Sequence, residues 1–177
     1  MLIEAARSSL LIVDVQDGLA PVMADPRRVY RGCAILMRAA ARLGLPVVVS
    51  EQYPKGLGRT VGELLELAPE GAVMEKLHFS CAHDPALKAR VDTPQVVIAG
   101  IEAHVCVLQS ALGFKAAGRE VFVVADACAS RTEANHQAAM ARLAANGVQV
   151  VTVEMAVFEW LHCAGTPEFK DVSRLIR

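Results

Sequence analysis

Cys106 lies in the segment 100–118, where an apolar stretch gives way to a helical pattern. Free cysteine is usually a small buried hydrophobic residue, which is one interpretation of this position. At the start of a helix, however, free N–H groups and the helix dipole favour the thiolate and lower its pKa. The same N–H groups can bind the oxyanion that forms when sulfur attacks a carbonyl carbon. Cys106 is therefore a candidate nucleophile, with a core residue as the alternative.

Two charged residues stand at the ends of other apolar stretches. Asp14 follows LLIV directly, and Lys76 ends the stretch AVMEK. An aspartate at such a place can also be a helix N-cap or a solvated acid, and a lysine there is commonly solvated. In an open parallel sheet, however, ligands bind beyond the carboxyl ends of the strands. Both residues are therefore candidate site residues.

Two further residues near these positions have weaker chemical interpretations. Asp126 is expected to cap or tie down the loop that follows the fifth apolar stretch. His104 stands two residues before Cys106 and is a candidate base. A nucleophile and its base usually come from separate elements that meet in space, so the sequence does not favour that pair.

Six short apolar stretches organise the chain. They are rich in β-branched residues and continuously apolar, as in parallel strands covered on both faces. They span 9–15, 46–51, 72–76, 95–100, 120–126 and 148–154. Amphipathic helices are predicted over 27–43, 60–67, 106–117 and 133–146, and the connection after the third stretch is expected to hold only a short helix. The alternation predicts one three-layer α/β/α domain over residues 1–177.

The amino-acid composition of the chain limits the classes of molecule that it is expected to bind. The 177 residues carry 18 basic and 19 acidic side chains, a formal net charge of -1, which disfavours nucleic acid and anionic membranes as partners. The apolar stretches are too short to span a bilayer, and the hydrophobic fraction of 54% favours doubly covered strands together with surface hidden in a homo-oligomer. The start lacks a basic leader, and the five cysteines include no CxxC pair. We therefore expect a cytoplasmic location.

Metal and cofactor signatures are also missing from the sequence. The five histidines show no HxH or HExxH spacing. The glycines of GLGRTVG are wrongly spaced for a dinucleotide fingerprint, and no GxxxxGK[ST] motif occurs. We predict neither a metal nor a cofactor.

Three segments together resemble the isochorismatase-like cysteine hydrolases. They are LLIVDVQDGLAP, EKLHFSC and VVIAGIEAHVCVLQSAL, in the family's order, and SEQYPKGLG and DACASRTEANHQAAM extend the likeness over nearly the whole chain. The chain is most similar to the small isochorismatase-domain hydrolases of unassigned substrate. The resemblance implies a six-stranded parallel sheet between helices, assembled into dimers or larger homo-oligomers.

The resemblance also implies a site. Asp14, Lys76 and Cys106 would form an Asp–Lys–Cys triad. The Ile101–Glu102 bond would be a cis peptide, and the N–H groups of Glu102 and Cys106 would form an oxyanion hole.

Two departures from known family members narrow the expected reaction. Family nicotinamidases carry an Asp/His metal cluster after strand two, where this chain has EQYPKGLGRTVGEL without histidine. Members that hydrolyse isochorismate lack the cysteine. The expected activity is therefore hydrolysis of a small amide or related C–N bond through a thioester. A catalytically silent binding protein and a redox-sensing thiol protein that uses Cys106 remain alternatives.

The loops beyond the strands are expected to determine substrate specificity. Tyr53 and Phe79 could frame an apolar pocket, and Gln52 could offer it a hydrogen bond. Ordinary loop packing is the alternative for all three residues.

Overall fold

The computed structural model describes residues 1–176. Its centre is a sheet of six parallel strands in the order β3-β2-β1-β4-β5-β6. The strands are β1 Ser8–Val13, β2 Val47–Gln52, β3 Val73–Lys76, β4 Gln95–Ile101, β5 Glu120–Ala129 and β6 Gln149–Val151. Strands β1, β2 and β4 are buried throughout, as their continuous apolar sequences predict. The predicted six-stranded parallel sheet is confirmed.

Helices cover both faces of this sheet. They are α1 Pro26–Leu43, α2 Pro54–Leu57, α3 Gly62–Leu65, α4 Pro85–Arg90, α5 Leu108–Ala116, α6 Glu133–Ala145, α7 Val153–Leu161 and α8 Pro167–Val172. One apolar core packs α1, α7 and α8 against the sheet, and the other packs α4, α5 and α6 against the opposite face. Side chains of successive strand residues alternate between these two cores, which gives the predicted three layers.

Several element boundaries differ from the predictions. Residues 60–67 form only the short α3, and Pro54 starts an additional helix, α2. Strand β5 continues to Ala129, so Asp126 lies inside the strand rather than at its end. There its carboxylate accepts a hydrogen bond from Val153 N at 2.8 Å, which ties β5 to the start of α7. Strand β6 is short because Thr152 caps α7, accepting a hydrogen bond from Met155 N.

The helix predicted over 106–117 also begins differently. A wide π-helical turn, Ala103–Val107, follows β4, and the regular helix α5 starts only at Leu108. Cys106 therefore lies in this turn rather than at the first residue of a regular helix. π-Helical turns are rare and occur frequently at functional sites.

The strand order reverses direction between β1 and β4, and this switch point brings the candidate residues together. Asp14 directly follows β1, and Cys106 lies in the turn after β4. Gly100 allows the two strands to approach closely, because a Cβ at this residue would collide with the backbone of Val13, and its φ is 120°. The topology thus forms a crevice at the carboxyl edge of the sheet.

Candidate active site

Asp14 occupies the centre of this crevice. Its backbone has a φ of 54°, in the left-handed region that aspartate tolerates better than most residues, and the residue is fully buried. Ser50 Oγ donates a hydrogen bond to Oδ1 at 2.6 Å, and Lys76 Nζ donates to Oδ2 at 2.7 Å. Both carboxylate oxygens are therefore held by neighbours on β2 and β3, which fixes the plane of the group.

Lys76 uses all three of its N–H donors inside the protein. Besides Asp14 Oδ2, Nζ contacts Gln52 Oε1 at 2.6 Å and the Phe79 carbonyl oxygen at 3.3 Å. Burial by itself lowers the pKa of this ammonium group, but the carboxylate of Asp14 outweighs burial and the pKa is raised overall. Lys76 thus remains a charged partner of Asp14 with no donor left for a ligand.

The side-chain amide of Gln52 is not free to offer a hydrogen bond to a pocket, although its sequence position suggested that role. Its amide oxygen accepts from Lys76, and its Nε2 donates to the Leu77 carbonyl oxygen at 2.9 Å. Both ends of the amide are therefore engaged within the protein, and the residue is buried. Gln52 orients Lys76 rather than presenting a free amide to a pocket.

Cys106 lies beside Asp14, with its thiol within hydrogen-bonding reach of the carboxylate. The residue is 4% exposed. Burial raises the pKa of the thiol well above its usual range, and the negative charge of Asp14 raises it further, against the opposing effect of Lys76. Burial and the Asp14 charge therefore act against the thiolate that a helix N-terminus would favour.

Burial also affects the pKa of Asp14. Burial raises the pKa of the Asp14 carboxyl, whereas Lys76 and the hydrogen bond from Ser50 lower it and only partly offset that effect. Asp14 is therefore a stronger base than an exposed aspartate. A neutral thiol next to a basic carboxylate is an arrangement in which the proton can move during nucleophilic attack.

Two residues that the sequence analysis did not assign complete the support of Asp14. Ser50 Oγ has one hydrogen, which it donates to Asp14, and Cys81 Sγ lies 3.6 Å from that oxygen as a thiol donor. Ser110 Oγ in turn accepts from Cys81 N at 2.8 Å. Ser50 could have been suspected, because Ser50 is the register partner of Val13 and thus adjacent to Asp14. Nothing in the sequence pointed to Cys81.

The turn that carries Cys106 is anchored through Glu102. The peptide bond between Ile101 and Glu102 is cis. The Glu102 carbonyl oxygen accepts from Val105 N and Val107 N, at 3.0 and 3.2 Å. Its buried carboxylate accepts from Arg131 Nε and Nη2, at 3.0 and 2.9 Å. The turn is thus tied to the loop between β5 and α6.

His104 is engaged away from Cys106. Its Nδ1 lies 2.9 Å from Ser130 Oγ, and its Nε2 lies 3.4 Å from Asn135 Nδ2. Both ring nitrogens therefore have partners on the β5–α6 side of the turn. The geometry favours Asp14, not His104, as the base for Cys106.

The rim beside Lys76 is apolar. Tyr53 and Phe79 are 52% and 54% exposed, and Leu77 is 71% exposed. Tyr53 N donates to the Lys76 carbonyl oxygen at 2.9 Å, and the Phe79 carbonyl contacts Lys76 Nζ, so both backbones are fixed to the site. An adjoining cavity of about 440 Å³ includes Tyr53, Lys76 and Leu77 in its wall.

Across residues 1–176, no group of three or more His, Cys, Asp or Glu side chains is arranged to hold a metal ion. In the same part of the chain, no helix has the length and apolar character needed to cross a membrane.

Comparisons with known proteins identify the family. The model of the Isochorismatase domain matches residues 8–155. A protein of Phytophthora sojae described as "Secreted isochorismatase effector Isc1" is 39% identical over 178 residues, which cover 96% of this chain and 84% of that protein.

Solved structures agree with this match. A structure described as MAR1 ribonuclease from Caenorhabditis elegans has a TM-score of 0.94 and 33% identity, covering 99% of this chain and 92% of its own. The YcaC gene product of Escherichia coli, described as an octameric hydrolase of unknown specificity, has a TM-score of 0.92 and covers 99% and 90% of the two chains. At 22% identity, this second likeness concerns the fold alone. The chain belongs to the isochorismatase family of hydrolases.

Proposed function

We propose that this protein is a cysteine-dependent hydrolase that cleaves a small amide or related C–N bond through a thioester. The observation that carries the proposal is the thiol of Cys106 beside the carboxylate of Asp14, whose two oxygens are fixed by Ser50 and Lys76. A nucleophile, a base within its reach and a third group that orients the base form the arrangement that covalent catalysis requires.

The first half of the proposed reaction forms the thioester. Cys106 Sγ attacks the carbonyl carbon while its proton passes to Asp14, so that an S–C bond forms as the S–H bond breaks. The N–H groups of Glu102 and Cys106 are the proposed donors to the resulting oxyanion. Asp14 then gives the proton to the leaving nitrogen, the C–N bond breaks, and the amine departs.

The second half restores the enzyme. Asp14 takes a proton from water as the water oxygen attacks the thioester carbon. The C–S bond then breaks, the proton returns to sulfur, and the acid leaves. General acid–base catalysis of this kind contributes about 10²–10⁴-fold, and one oxyanion donor about 10²–10³-fold.

In this mechanism Lys76 acts through Asp14. All three of its donors are engaged within the protein, so its role is to keep Asp14 ionised despite burial. Gln52 and Ser50 are positioning residues in the same sense, because each holds one member of the ion pair.

The two other functional classes have less support. A redox-sensing thiol is usually accessible and has a lowered pKa, whereas Cys106 is 4% exposed and its pKa is raised. A silent binding protein would have no need of the buried Asp14–Lys76 pair next to a thiol. The net charge of -1 disfavours RNA as a substrate, although one relative is described as a ribonuclease.

We also propose an oligomeric state and a cellular location for this protein. Exposed Leu2, Val22 and Phe158 provide apolar surface for a homo-oligomer of this chain, a dimer or larger. We propose a cytoplasmic location, as expected from its cysteines, and a small-molecule substrate without a cofactor. Light scattering on the purified protein measures the assembly directly, and a monomer across the working concentration range would refute that part.

Trapping the acyl-enzyme tests the reaction. The wild type is mixed with a panel of small amides, quenched in acid, and measured by intact mass spectrometry. We expect a mass gain equal to the acyl group, located on the peptide that contains Cys106. Cys106→Ala should abolish both the adduct and turnover, whereas the matched variant Cys163→Ala, which changes an exposed cysteine, should retain both. Turnover that persists in Cys106→Ala would refute the proposal, and RNA in the same panel serves as the control for nuclease activity.

A further inference from the structure

We infer that the substrate of this site carries no anionic group: the site selects small uncharged amides over amides that bear a carboxylate or phosphate. This inference rests on the proposed function and adds the class of substrate. It follows from the partners that the cations near Cys106 already have, and from the side chains that line the cavity beside Lys76.

The nearest cation, Lys76, is not available to an anion. Its three N–H groups contact Asp14, Gln52 and the Phe79 carbonyl, and its side chain is fully buried. A substrate carboxylate could bind Lys76 only by displacing one of these acceptors. If Asp14 were displaced, the catalytic base would be lost.

Arg131, the second cation near the turn that carries Cys106, is also already paired. Arg131 donates to both oxygens of Glu102, whose side chain is only 6% exposed. If Arg131 turned toward a substrate anion, it would leave the buried Glu102 carboxylate unpaired, which is costly in a protein interior. The pair therefore presents little net charge to the site.

The adjoining cavity does not add a net positive charge. Among the side chains that line it, the positive charge of Lys55 is balanced by the negative charges of Glu75 and Asp84. Asp84 Oδ1 accepts from the first N–H groups of α4, so that helix end is already capped. The rim itself is formed by Tyr53, Leu77 and Phe79.

An anionic substrate at this site would therefore lose water without gaining a partner. Burying an unpaired charge is strongly unfavourable, whereas an uncharged amide loses only hydrogen bonds that the oxyanion donors can replace. The apolar rim favours a small apolar substituent on either side of the amide.

Two alkylating reagents of nearly equal size test this selectivity without any turnover. Iodoacetamide is neutral and iodoacetate is anionic. In each reaction the sulfur bonds to the CH₂ carbon as the C–I bond breaks, iodide leaves, and the thiol proton passes to a base. Labelling rates are measured by peptide mass spectrometry at the same pH, and the exposed Cys163 in the same chain provides the reference ratio. We expect the ratio of iodoacetamide to iodoacetate rates to be at least about tenfold higher at Cys106 than at Cys163.

A charge placed on the rim sharpens the test. Phe79→Lys should raise iodoacetate labelling of Cys106 several-fold, whereas the uncharged control Phe79→Gln should not. Equal ratios at Cys106 and Cys163, or faster labelling of Cys106 by iodoacetate, would overturn the inference. If the raised pKa of the Cys106 thiol prevents labelling by both reagents at about pH 9, the ratio of kcat/KM for neutral and carboxylate-bearing amides decides instead, and equal values would overturn the inference.

The outcomes separate the two proposals. Charge selectivity at Cys106 without amide turnover would support the inference and refute the proposed reaction. Turnover of carboxylate-bearing amides as fast as neutral ones would do the reverse.

Discussion

Cys106 and Cys128 are both buried thiols at the carboxyl edge of the sheet, yet they have different surroundings. Burial raises the pKa of both, that of Cys128 to about 12. A backbone hydrogen bond from Gly100 and the charge of Arg28 lower the pKa of Cys128, and Asp126 raises it, but within residues 1–176 no charged side chain is hydrogen-bonded to this thiol. Cys106 has the carboxylate of Asp14 within reach and the ammonium of Lys76 behind it. Burial therefore does not distinguish a core cysteine from a nucleophile, and an adjacent oriented base does.

Replacing the two sulfurs is expected to give the largest contrast. Cys106→Ala removes the nucleophile and should reduce kcat/KM by about 10⁴-fold or more. Cys128→Ala should leave kcat/KM within about twofold and lower the free energy of unfolding by about 1 kcal/mol through lost packing. Steady-state kinetics with an amide found in the panel and urea unfolding measure the two effects. Similar kinetic losses in both variants would remove the distinction between the two thiols.

Asp14→Asn tests the base while keeping its shape. An amide cannot take the thiol proton, so kcat/KM should fall by about 10²–10⁴-fold. The same change removes the charge that raises the pKa of Cys106, so the pKa of that thiol should fall. The pH dependence of labelling by iodoacetamide reports this second effect. Unchanged kinetics in Asp14→Asn would eliminate Asp14 as the base.

Lys76→Met removes the partner of a buried carboxylate and should affect both stability and pH dependence. An unpaired buried charge costs about 3–5 kcal/mol in the free energy of unfolding. Without the ammonium group the pKa of Asp14 should rise further, so the acid limb of kcat/KM should move to higher pH. The surface pairs of Arg42 with Glu168 and Asp171 provide the matched control, since exposed ion pairs add little stability and Arg42→Met should change the free energy of unfolding far less. Equal losses of stability in Lys76→Met and Arg42→Met would contradict the claim that the buried Asp14–Lys76 pair stabilises the protein more than a surface pair does.

Ser50→Ala is expected to have the smallest effect, and its signature is a shift in pH dependence. The Ser50 hydrogen bond lowers the pKa of Asp14, so its removal should raise that pKa. Activity requires the carboxylate form, and it is lost as pH falls through the pKa of Asp14. The acid limb of kcat/KM should therefore shift to higher pH, so that activity falls at acidic pH and is unchanged well above the pKa of Asp14. A uniform loss at every pH would indicate a merely structural role, and Ser50→Thr should restore the wild-type profile.

The fold was largely predictable from the sequence because parallel strands buried on both faces leave continuous apolar stretches. The six stretches correspond to β1 to β6, with errors of boundary at β5 and β6. Those errors have local causes: β5 extends into a stretch of small residues, and Thr152 starts α7 before the apolar pattern ends. The π-helical turn at Ala103–Val107 has no periodicity that a short sequence could reveal.

The proximity of the candidate residues was predictable, whereas their electrostatics were less so. Asp14, Lys76 and Cys106 stand at or beyond the ends of three different strands, and the sheet order places Asp14 beside the other two. Their roles as a triad stay a prediction. The raised pKa of Cys106 could not be inferred, because a sequence does not reveal how much water is lost at one sulfur atom. For the same reason the engaged amide of Gln52 and the contact of Cys81 with Ser50 could not be foreseen.

The protonation state of Cys106 at rest tests the central claim most directly. It can be measured as the ultraviolet thiolate absorbance of the wild type minus that of Cys106→Ser, followed from about pH 6 to pH 9. If the thiol is neutral and yields its proton to Asp14 only during attack, the wild type shows no absorbance step in that range. In Asp14→Asn, the midpoint of the step should lie at lower pH than in the wild type. A step in the wild type with a midpoint below about pH 8 would show a preformed thiolate and contradict this account.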